Sequence, residues 1–253
     1  MAERAGAYVL YPEQSLRANP QRCWNWFLPE HQSRERGEPA AILALVDATC
    51  ARYEIDRERV FVAGLSAGGA MAAILAEQAP DVFAAVGIMA GVALHATFDL
   101  ESASAAMANG VDVERLAPVL ARRTGHRGIG RLRATIWAGA ADKLVAPSNA
   151  LALARQFLRL MYLERALPVL DERGVAEILR WRDPSGRVRV EAWSISAMGH
   201  GWSGGSFRGS HTYPAGPNAA EAMMRFFLEV PEVLEERIPL RLMRPPMRGR
   251  LSP

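Results

Sequence analysis

Lysine is almost missing from this chain of 253 residues: Lys143 stands alone among 30 basic side chains, the rest being arginine. Against 27 acidic residues the net charge is only +3, too small a balance for a nucleic-acid surface. The arginines are also spread over almost every segment rather than gathered on one face between aromatics. Cysteine is scarce as well. Cys23 and Cys50 are too few for a disulfide framework or a zinc cluster, which leaves one bridge between them or two separate thiols. No apolar run approaches the roughly 18 residues of a membrane span. The first ten residues, with Glu3 and Arg4 ahead of a short apolar piece, lack the order of a signal peptide. No internal repeat and no linker stands out. A hydrophobic content of 50% with 23% charged residues excludes a disordered or collagen-like chain. The length suits one α/β domain with a large core.

Apolar runs and helical patterns alternate along the chain. Residues 8–11 (YVLY) form a short β-prone run closed by Pro12, and residues 15–37 a polar loop carrying Trp24, Trp26 and Phe27. A helix is expected over 39–53, with proline at its first turn, then a buried strand over 59–63 (RVFVA). An Ala- and Met-rich helix follows over 67–78, and a second buried strand over 84–90. Residues 92–128 have weak periodicity and read as an irregular or helical insertion. A third strand spans 133–139, a helix 147–162, and two β runs, 175–182 and 188–195, flank the turn Asp183-Pro184-Ser185-Gly186. A last helix spans 217–228. Such alternation predicts βαβ units and a mostly parallel sheet with helices on both faces. A single α/β domain is expected over 1–238, and the Pro- and Arg-rich residues 239–253 read as a flexible basic tail.

Gly64-Leu65-Ser66-Ala67-Gly68 is a G-x-S-x-G pattern. The pattern alone is weak, but a strand runs directly into it and a helix directly out of it. That is the setting of a nucleophile elbow, where a strained turn exposes a serine at the end of a sheet. Both flanking glycines are expected to be required by crowding. The Ala67 N–H, at the start of the helix, is the candidate oxyanion donor. A serine hydroxyl needs a base, and in an elbow fold the partners follow in the order Ser, acid, His. His200, in a Gly-rich stretch five residues past the last strand, is the candidate base, with His211 as competitor. Asp142, three residues past the 133–139 strand, is the candidate acid, with Asp183 as its alternative.

Several blocks resemble one family. Tyr11-Pro12-Glu13-Gln14, Cys23-Trp24-Asn25-Trp26-Phe27, the elbow with its strand, and Gly199-His200-Gly201-Trp202-Ser203-Gly204-Gly205 look like the polyhydroxybutyrate depolymerase family of α/β-hydrolase esterases. The Cys-Trp-Asn-Trp-Phe and His-Gly-Trp-Ser-Gly-Gly blocks are far more specific than the elbow alone. The resemblance implies a serine esterase acting on polyhydroxybutyrate, its oligomers or related esters, often secreted and hence extracellular. It implies Ser66 as nucleophile, Asp142 as acid and His200 as base, with no metal or organic cofactor. Trp24, Trp26 and Trp202 are candidates for the substrate-facing surface, with burial in the core as the alternative. A feruloyl or acetyl esterase of plant polysaccharide is a second reading. Members of the family carry a strand and a His-Gly loop ahead of the Tyr-Pro-Glu-Gln stretch. Their counterpart is not found here, so only one oxyanion donor can be assigned, and an inactive truncated fragment is a reading of another class. On that view the 8–11 strand should lie two strand spacings from the 59–63 strand, or be re-paired directly against it.

Overall fold

The computed structural model describes residues 2–114 and 128–229. Its centre is a six-stranded sheet built from β1 (Phe61–Leu65), β2 (Ala85–Met89), β3 (Arg133–Gly139), β4 (Val169–Arg173), β5 (Ala176–Arg182) and β6 (Val188–Ile195). The spatial order is β1-β2-β3-β6-β5-β4. The first four of these pair in parallel, and β5 and β4 complete the sheet as an antiparallel hairpin.

Side chains alternate across the sheet, so each face has its own helical cover. On one face Val86, Ile88, Ala134, Ile136 and Val190 meet three helices: α1 (Gly37–Tyr53), α2 (Ala67–Gln78) and the amphipathic α4 (Ser148–Leu160). Helix α2 is apolar nearly all round and is correspondingly buried. On the other face Ala85, Met89, Trp137, Trp193 and Ile195 pack against α5 (Ala219–Leu228). There the Trp137 and Trp193 rings stack at 4.0 Å. Beside them lies the buried Glu191 carboxylate, which accepts from Thr135 Oγ1 and Trp193 Nε1, each at 2.8 Å, and from Arg180 Nε at 3.3 Å. Arg133 donates to the carbonyls of Phe226 and Phe227, closing the last turn of α5. Its burial lowers its pKa to about 10.

Three expectations need correction. Residues 8–11 form no strand. Tyr8, Val9, Leu10 and Tyr11 are 65%, 53%, 40% and 82% exposed, and Tyr8 stacks on Tyr53 of α1 at 5.1 Å. The run is therefore not paired with β1, which among the described strands is an edge of the sheet. An apolar run becomes a central strand only where a neighbour takes its N–H and C=O groups. Second, β1 starts two residues late, because Arg57–Arg59 forms a 3₁₀ turn capped by Asp56, whose side chain accepts the Glu58 N–H at 2.9 Å. Third, β4 is additional to the sequence expectation. It joins β5 through the two-residue loop Gly174-Val175, with Gly174 at φ +60°, a hairpin geometry that favours glycine at its first position.

The remaining long elements lie close to their expected bounds. Within residues 92–128, α3 (Leu100–Asn109) starts with a capping box of Asp99 and Ser102; residues 115–127 of that insertion, and the 239–253 tail, lie outside the described residues. Cys23 and Cys50 are free thiols. No described helix is long and apolar enough to cross a membrane.

Candidate active site

Parallel pairing brings three connections to one edge of the sheet. Ser66 follows β1, the Asp142 turn follows β3 and the His200 loop follows β6, all at the C-terminal ends of strands.

Ser66 sits at φ +57°, ψ −119°, a region a non-glycine residue rarely occupies. Its N–H donates to Met89 O at 2.9 Å, tying the turn to the end of β2. Gly64 is required by space: a Cβ there would lie 2.2 Å from Gly68 O. Gly68 is not, because the nearest atom to a Cβ there is Trp24 Cδ1 at 4.0 Å. This corrects the expectation that both glycines answer to crowding. Ala67 opens α2, so its N–H has no acceptor within the helix and lies at the positive end of the helix dipole.

Asp142 is held from both sides. Oδ1 accepts the N–H groups of Leu144 at 2.8 Å and Val145 at 2.9 Å. Oδ2 lies 2.8 Å from His200 Nδ1. The Asp142 side chain is 1% exposed and that of His200 18%, so the carboxylate is sheltered while the imidazole reaches the surface. Backbone bonds stitch the two connections together: Ala140 N–H to Ile195 O and Ala141 N–H to Met198 O, each at 2.9 Å. The insertion joins on the other flank, with Ala146 N–H donating to Met107 O at 2.7 Å and Asn149 Nδ2 to Ala106 O at 3.0 Å.

The Gly-rich block after His200 has a structural reason. Trp202–Ser203 (β7) pairs with Thr212–Tyr213 (β8). Ser203 is fully buried and donates its hydroxyl to Pro217 O at 2.8 Å. Together these fix where the loop leaves the imidazole. The competitors are placed elsewhere. His211 has an exposed side chain and contributes only its carbonyl, to Trp202 N–H. Asp183 sits at the hairpin tip, accepting from Ser185 N–H, Ser185 Oγ and Arg187 N–H.

The tryptophans divide. Trp26 is 7% exposed and belongs to the main core, edge-on to Phe27 at 5.8 Å, so it does not face substrate. Trp24 and Trp202 are half-buried, and Trp24 lies beside the elbow. Gly139 escaped the sequence reading. A Cβ there would meet the carbonyl oxygens of Met198 at 2.2 Å and Gly199 at 2.6 Å, and the signal available was a glycine ending the strand just before the candidate acid.

The model of the family described as Esterase PHB depolymerase matches residues 1–169. Poly(3-hydroxyalkanoate) depolymerase C of Paucimonas lemoignei is 35% identical over 196 residues, covering 77% of this chain and 47% of that protein. The chain thus spans about half the length of this relative. Feruloyl esterase B of Neurospora crassa is 28% identical over 240 residues, covering 89% of this chain and 74% of its own. Among solved structures, acetyl xylan esterase from Aspergillus awamori superposes with a TM-score of 0.65 at 20% identity, over 81% of this chain and 73% of that one. The fold is that of the α/β-hydrolases.

Proposed function

The chain belongs to the Esterase PHB depolymerase family, and we propose that it is a serine esterase that cleaves carboxylic esters through an acyl-enzyme on Ser66, with polyhydroxybutyrate or its oligomers as substrate. The observation that carries this reading is the 2.8 Å contact between Asp142 Oδ2 and His200 Nδ1, at the same sheet edge as the strained turn of Ser66. With Nδ1 engaged, Nε2 of His200 is left to take the Ser66 proton as the hydroxyl attacks the ester carbonyl. Asp142 holds the tautomer and steadies the imidazolium without taking its proton. The Ala67 N–H receives the negative charge that develops on the carbonyl oxygen. His200 returns the proton to the leaving alcohol, then draws one from the water that frees the acid. Trp24 and Trp202 line the approach. None of these steps calls for a metal or an organic cofactor. Secretion is the localisation proposed with this reading.

The feruloyl esterase relative matches more of both chains than the depolymerase does, and this favours a second reading: an aryl or acetyl ester of plant polysaccharide. One panel separates them. Purified protein is offered hydroxybutyrate trimer, acetylated xylan and methyl ferulate. Release of hydroxybutyrate at the highest kcat/KM supports the first reading, and preference for either of the others replaces it. No turnover of any ester, including p-nitrophenyl esters, overturns both.

A further inference from the structure

Glu38 lies buried in the first turn of α1 and has no part in the triad. Its carboxylate is filled from a single loop. Oε2 accepts the Asn25 N–H at 2.7 Å, and Oε1 accepts Asn25 Nδ2 at 2.6 Å and the amide of Gln14. The helix N-terminus favours the negative charge there. The same Gln14 amide reaches Cys23 O at 3.3 Å, and Asn19 Nδ2 donates to Asn25 Oδ1 at 2.9 Å. Trp24 stands between these two tied residues. Two residues on, Gln32 Nε2 bridges Trp26 O at 3.1 Å and Thr97 O at 3.0 Å, so the backbone is fixed on both sides of the indole. The indole itself is half-buried and rests beside Gly68 of the elbow.

We propose that Glu38 is a positioning residue for ester binding: through Asn25 it holds Trp24 against the Gly68 side of the elbow, where the indole forms one wall of the cleft in which the ester meets Ser66. The proposal rests on the esterase reading above. A charged acceptor with three donors is stronger and more directional than a neutral one, and a wall held in place before substrate arrives spares the cost of ordering it on binding. The effect therefore falls on affinity and leaves the proton transfers of His200 alone.

The test is a double-mutant cycle on p-nitrophenyl butyrate with Glu38→Gln, Trp24→Ala and both together. Glu38→Gln should raise KM about tenfold, the usual size of a lost hydrogen bond to a buried charge, with kcat kept within about twofold. The double variant should be no worse than Trp24→Ala alone, because the carboxylate acts only through the indole. Additive losses, or a fall in kcat with KM unchanged, would overturn the proposal. If Glu38→Gln does not fold, Asn25→Ala takes its place in the cycle. A second arm is independent of turnover: acrylamide quenching of tryptophan emission, taken as the difference between a protein and its Trp24→Phe counterpart. Loss of the carboxylate should make the Trp24 emission more quenchable, and unchanged quenching would overturn the proposal. A parent protein that hydrolyses no ester fails the esterase reading before any variant is made, and the quenching arm then decides alone whether Glu38 fixes Trp24.

Discussion

Gly139 and Met198 approach so closely that a Cβ on the glycine would lie 2.2 Å from the methionine's carbonyl oxygen. The obstructing atoms, Met198 O and Gly199 O, are both backbone, and no side chain can swing away to make room. Gly139→Ala must therefore push the end of β3 from the His200 loop and lengthen the 2.8 Å contact between Asp142 and His200. A displacement of about 1 Å at a catalytic pair costs about 10²-fold in rate. Steady-state kinetics on a p-nitrophenyl ester should show that fall in kcat, with the protein still folded by circular dichroism. An unchanged kcat would mean that the two connections need not touch for turnover.

Substitution within the proposed triad should separate chemistry from stability. Ser66→Ala should remove activity by several powers of ten. It should leave the melting temperature within a degree or two, since alanine can occupy the strained turn as serine does. Asp142→Asn should lower kcat by about 10³–10⁴, because an amide no longer fixes the imidazole tautomer. Its Oδ1 can still accept from Leu144 and Val145. Activity above about 1% of the parent in pure Ser66→Ala protein would remove Ser66 from the role of nucleophile.

The two elbow glycines should behave differently despite their symmetric places in the motif. Gly64→Ala sets a Cβ against the backbone of Gly68 at 2.2 Å and 2.3 Å. Strain of that kind belongs to the large destabilisations, about 3–5 kcal/mol, and the variant should melt far below the parent or fail to accumulate. Gly68→Ala meets only Trp24 Cδ1, at ordinary contact distance, and should fold normally with an effect confined to KM. Equal stability of the two variants would show that the crowding at Gly64 is relieved by a shift of the turn.

Much of the site was legible because its residues answer to local rules. Helix α2 and strands β3 and β6 begin and end where period and turn residues place them, and counting from strand ends singles out Asp142 and His200, which the structure brings to 2.8 Å of each other. What was not legible depended on partners. Residues 8–11 have the composition of a buried strand, yet nothing in four side chains says whether another backbone will pair with them. Val169–Arg173 carries two acidic side chains and an arginine over five residues and shows no alternation, so only Gly174 hinted at the hairpin. Trp26 and Trp24 are neighbours but one in sequence, and a polar loop gives no warning that one turns into the core while the other stays beside the elbow. Glu38 lies just ahead of the helix expected over 39–53, and the structure places it in that helix's first turn. Its meaning came from Asn25, thirteen residues away in the chain.

Glu191 supplies a pH-dependent stability that has nothing to do with catalysis. Burial, at 4% exposure, is the largest influence on its carboxyl and raises its pKa; the bonds from Trp193 and Thr135 and the charge of Arg180 oppose this without cancelling it. A carboxyl whose folded value lies above its unfolded one binds its proton more tightly in the native state. Its contribution to stability is then fully present below the unfolded value, near pH 4.3 for glutamate, and is lost as pH rises through the raised folded value. Glu191→Gln keeps an oxygen that can accept from Thr135 and Trp193 but does not titrate. Whatever its stability relative to the parent at about pH 4, the balance should therefore move toward the glutamine variant as pH rises to about 8. Urea denaturation of both proteins across that range measures the difference directly. A difference that stays flat, or that moves toward the parent with rising pH, would show that Arg180 holds the carboxylate charged in spite of its burial.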